Sequence, residues 1–87
     1  MYPLELYLRS MQVDYADLGE NGEGGRDYAI SRGGDNFLIR ACGDQSYRSA
    51  VTSGDHVSHA EHLHQAAPST LDEIKTAIGH FLHGGRK

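Results

Sequence analysis

At 87 residues the chain has room for one hydrophobic core, and 12 Asp+Glu against 8 Lys+Arg give a formal net charge of −4, the opposite of the basic balance that drives phosphate binding. A single cysteine, Cys42, excludes an intramolecular disulfide framework and fits a reducing compartment, and no apolar run approaches the roughly 20 residues needed to span a bilayer. Met1-Tyr2-Pro3-Leu4-Glu5 lacks the basic start and apolar core of a secretory leader, so the expectation is one domain over residues 1–87, in the cytoplasm.

In the first segment Leu4, Leu8, Met11, Tyr15 and Leu18 recur at helical spacing, and with Tyr7 they form one apolar stripe. Pro3 suits a first turn, and Gly19 suits the position just past a helix end. Leu4-Glu5-Leu6-Tyr7-Leu8-Arg9 also alternates as a strand would. Residues 3–18 are therefore read as helix, with strand as the alternative. Four glycines within Gly19-Glu20-Asn21-Gly22-Glu23-Gly24-Gly25 predict a flexible loop over 19–26.

The middle third reads as an antiparallel meander. Asp27–Arg32 alternates, Gly33-Gly34 turns the chain, Phe37–Cys42 is the most apolar run, and Ser46–Thr52 returns after a second turn at Gly43-Asp44-Gln45. Tyr28, Ile30, Phe37, Ile39, Ala41, Tyr47 and Val51 share one face by parity. Arg40 and Arg48 have the opposite parity, which predicts them on the outer part of the sheet. Residues 53–68 carry His56, His59, His62 and His64 with few apolar groups, as a loop or a short helix. After Pro68, Thr70-Leu71-Asp72-Glu73 matches a capping box. Leu71, Ile74, Ala77, Ile78, Phe81 and Leu82 then recur at helical spacing, and Gly84-Gly85 ends the helix.

The predicted fold is a single two-layer α+β domain. A three- or four-stranded antiparallel meander carries an N-terminal helix (or strand) and a C-terminal helix on one face. The order helix, strands, helix resembles double-stranded-RNA-binding domains in topology. Those modules place a lysine-rich turn at the start of their last helix. Here that turn reads Pro68-Ser69-Thr70-Leu71-Asp72-Glu73, so the resemblance implies no RNA function.

Charge supplies the functional expectation. Residues 1–25 hold Arg9 against Glu5, Asp14, Asp17, Glu20 and Glu23, while the remainder balances its charges and holds all six histidines. An acidic segment of this kind steers a protein toward a basic surface. Glu5, Asp14, Asp17, Glu20 and Glu23 are the candidate recognition charges, with Tyr2 and Tyr7 as aromatic anchors. The expectation is a non-enzymatic protein that binds a macromolecular partner, as inhibitors, immunity proteins and phage anti-defence proteins do. It would be a monomer or a homodimer, with no membrane or nucleic-acid role.

The alternative is a metal-binding protein. His56, His59, His62 and His64 are imidazole donors of the type that zinc or nickel accepts, and helical spacing pairs His56 with His59 and His59 with His62. No His-Glu-x-x-His and no paired cysteine accompanies them. The glycine-rich segment is not a phosphate loop, since it precedes a strand and contains two glutamates. Cys42, in the most apolar run, reads as a small core residue.

Overall fold

A computed structural model describes residues 3–53 and 63–83. Helix α1 (Pro3–Ser10) is followed by strands β1 (Ala16–Glu20), β2 (Arg26–Arg32), β3 (Asp35–Ala41) and β4 (Tyr47–Ser53), and then by helix α2 (Leu71–Leu82). The strands form one open sheet in the order β1-β2-β3-β4, antiparallel throughout. The class is α+β, as the periodicities predict. The fourth strand departs from the three-stranded order of the RNA-binding modules.

That strand comes from residues read as helix. α1 stops at Ser10 because Gln12 takes a left-handed conformation, φ 59°. The Val13 N–H donates to the Leu8 carbonyl (3.2 Å) and the Gln12 N–H to the Arg9 carbonyl (3.0 Å). This is a Schellman ending, with Gln12 where glycine is usual. Val13 packs against the core beside Leu8, as the residue after such a cap often does. The chain then leaves in an extended conformation and Ala16–Glu20 pairs with β2. Gly19 lies in that strand rather than past a helix, at φ 97°, where the register slips between Asp17 and Gly19. The connection is accordingly shorter than the predicted loop over 19–26. Only residues 21–25 join β1 to β2.

The remaining hairpins follow their turn residues. Gly33 and Gly34, at φ 61° and 89°, form the two-residue turn with positive φ at both positions that matches strand twist. The pairing it sets is uninterrupted from Arg32↔Asp35 to Arg26↔Ala41. The β3–β4 turn places Gln45 at φ 70°, and its Asp44 carboxylate accepts from the Ser46 N–H (3.1 Å) and hydroxyl (2.6 Å).

One sheet face carries the main core. Tyr28, Ile30, Phe37, Ile39, Ala41 and Tyr47 pack against Leu4 and Leu8 of α1 and against Ile74 and Ile78 of α2. Each such leucine or isoleucine, fully withdrawn from water, contributes roughly 1.5–3 kcal/mol. Phe81 stacks on Phe37 with centroids 5.4 Å apart. Thr70 caps α2: its side chain accepts from the Glu73 N–H and the Glu73 carboxylate accepts from the Thr70 N–H. Both helices lie on this face, as predicted.

The opposite face holds a smaller cluster, in which Ala29 and Leu38 are covered by Leu63, with Leu18 and Ala50 beside them. Residues 63–65 are helical. The Arg48 guanidinium donates to the carbonyls of Ala66 and His64, two of the groups that a helix C-terminus leaves without intrahelical partners. The chain then crosses the β4 edge, where Ser69 exchanges backbone hydrogen bonds with Tyr47 (2.9 and 2.7 Å), and enters α2 on the first face.

Candidate interaction surface

The five candidate acids divide into two groups. Three are engaged within the molecule. Glu5 Oε2 accepts from the Tyr15 hydroxyl (3.0 Å) and lies 3.7 Å from the Arg9 guanidinium. Asp17 accepts from the Gly19 N–H (2.9 Å) and pairs with Arg26 (3.1 Å). The Gly19 hydrogen bond, assisted by Arg26, holds the Asp17 carboxyl below the usual carboxylate range. Glu23 Oε2 accepts from Arg40 Nη1 at 2.8 Å, and that hydrogen bond depresses its pKa in turn.

Asp14 and Glu20 remain available to a partner. Asp14 is exposed between α1 and β1. The Glu20 side chain is 83% exposed, with Arg26 only at 4.0 Å. Asp17 and Glu20 lie on β1, and Asp14 lies two residues before that strand begins. Across the flank Glu5, Asp14, Asp17 and Glu20 stand against Arg9 and Arg26, so it is net acidic. Tyr7 is half-buried beneath the Lys75 ammonium, 5.1 Å from its ring centroid, which leaves only part of its face to a partner.

Arg40 departs most from the sequence expectation. Its parity is as predicted, but it is not on the outside. It is 6% exposed, and Asp27 beside it is 3% exposed. The guanidinium donates through Nε and Nη2 to the two Asp27 oxygens (3.0 and 3.1 Å) and through Nη1 to Glu23. This is a bidentate pair plus a second carboxylate, the geometry in which buried ions hold together.

Asn21 organises the same corner. Its amide nitrogen donates to Asp27 Oδ1 (3.0 Å) and to the Ala41 carbonyl (3.1 Å), and its oxygen accepts from the Glu23 (2.8 Å) and Gly25 (3.1 Å) N–H groups. Cys42 Sγ lies 3.6 Å from Glu23 Oε1. Burial pushes its thiol pKa up, and the thiol donates to the Glu23 carboxylate. The network ties down the β1–β2 turn, and Glu23 belongs to it.

Tyr2, His56, His59 and His62 lie outside the described residues. His64 is exposed, and its backbone carbonyl is the group Arg48 binds. Among the described residues no group of three or more His, Cys, Asp or Glu side chains is placed to hold a metal ion, and no helix is long and apolar enough to cross a membrane. No family model, no curated protein and no solved structure matches the chain.

Proposed function

We propose that this is a non-enzymatic cytoplasmic protein that works by binding a protein partner with a basic surface, in the manner of inhibitors, immunity proteins and anti-defence proteins. The contact would run along the β1 edge. The observation that supports this reading is the exposure of Asp14, just before β1, and of Glu20, at its end, on a net-acidic flank, while Glu5, Asp17 and Glu23 hold the fold around them. Charges placed on a rim steer encounter and set specificity more than they add affinity.

The experiment compares immobilised wild-type chain with Asp14→Lys/Glu20→Lys in a lysate of the source cells. Asp17 is left intact because its reversal would also break the Arg26 pair. A basic protein should bind the wild type, be weakened by about 0.5 M salt and be lost from the variant, whose circular dichroism and melting temperature match the parent. Capture of the same proteins by both chains, or of none with a basic surface, would end this reading.

A further inference from the structure

The two edges of the sheet are built differently. β1 carries Asp17 and Glu20, and its register slips at Gly19. Charges and bulges of this kind discourage edge-to-edge pairing. β4 has neither a bulge nor an acid. Its register against β3 is uninterrupted from Asp35↔Ser53 to Ala41↔Tyr47, and its only charge, Arg48, is turned to the far face and bound to the Ala66 carbonyl. Tyr47 directs both its N–H and its C=O outward, to Ser69. In an antiparallel ladder that direction alternates, so Ser49, Val51 and Ser53 also direct both backbone groups to the side away from β3. Among the described residues, Ser69 pairs with this edge at its Tyr47 end. Val51 is 60% exposed although it is apolar.

We infer that this edge joins a second copy of the chain, β4 to β4, about a two-fold axis at Val51. Antiparallel pairing centred there sets Val51 opposite Val51 of the second copy and Ser49 opposite its Ser53. About six backbone hydrogen bonds form, since each of three facing pairs exchanges two. The stretch is self-complementary: no charged residue meets its own copy, and the one large exposed apolar side chain of the strand meets its twin. An isologous contact of this kind closes on itself. The result is a continuous eight-stranded sheet with α1 and α2 of both copies on one face and the two acidic β1 edges outermost. The inference rests on a different edge from the proposed partner surface and is independent of it.

Sedimentation of the purified full chain between about 10 μM and 1 mM tests it. A species of about 19 kDa, twice the 9.5 kDa chain, should dominate at the upper end. The amide hydrogens of Ser49, Val51 and Ser53 should exchange at least tenfold more slowly there than at the lower end. Val51→Lys sets two ammonium groups face to face and should give a monomer at every concentration, with a parental melting temperature for the monomer. Val51→Thr, which keeps the strand without a charge, should still dimerise. A monomer at 1 mM with unprotected amides overturns the inference. So does a dimer that persists in Val51→Lys, or one whose three amides exchange at the same rate at both concentrations.

Discussion

Arg40 sits where a sheet of this size would normally place an alkyl side chain, and it remains charged there because Asp27 and Glu23 hydrogen-bond its guanidinium. Removing one member of a buried ion network strands the others, which costs about 3–5 kcal/mol. Arg40→Met should therefore lose about that much in urea denaturation, a large share of the 5–15 kcal/mol typical of a domain. Glu23 adds a pH dependence. Its folded pKa lies below the ordinary value of about 4.5. The stabilisation it provides is therefore complete above that value and is lost as pH falls through the folded pKa. The melting temperatures of wild type and Glu23→Gln should differ at pH 7 and converge as pH is lowered from about 5 toward 3. A gap that stays constant over that range would mean the Glu23 carboxylate does not carry the effect.

At the scale of elements, glycine decides how closely the turns approach. A Cβ on Gly25 would lie 1.8 Å from the Ala41 carbonyl oxygen and 2.7 Å from its carbon, backbone atoms of β3 that cannot move aside as a side chain can. Gly25→Ala should therefore cost about 3 kcal/mol, the upper part of the overpacking range, read as a lower urea midpoint with an unchanged slope. The hairpins were legible in the sequence. Once Gly33-Gly34 is taken as a two-residue turn, Arg32 pairs with Asp35, and counting outward sets Asp27 opposite Arg40. The ion pair was thus implicit in the turn, although parity alone had put Arg40 outside. The end of α1 was not legible. Left-handed caps favour glycine because it has no Cβ to clash, so sequence points to Gly19 as the helix end, whereas Gln12 takes that conformation and Gly19 accommodates a bulge in β1.

The whole molecule is thicker than the two layers predicted. Leu63 covers the second sheet face; Val57, Ala60, Leu63 and Ala67 recur at the spacing of a short helix, but spacing alone does not say which sheet face such a helix meets. The acidic character of residues 1–25 was plain from composition. Its division was not, because only the fold shows that Asp17 and Glu23 face arginines contributed by β2 and β3, leaving Asp14 and Glu20 toward solvent.

The sheet's two ends also differ in how much length they tolerate. At one end the β1–β2 and β3–β4 turns touch: the Gly43 N–H donates to the Glu23 carbonyl at 2.8 Å, and a Cβ on Gly24 would stand 3.4 Å from Gly43 Cα. At the other end Gly33 and Gly34 have nothing within 4 Å of where a Cβ would stand. A spliced peptide, such as an epitope or a fluorophore acceptor, belongs between Gly33 and Gly34, where an exposed loop tip can lengthen without disturbing packed backbone. The same peptide between Gly22 and Gly25 would pry the two turns apart and carry Glu23 away from Arg40.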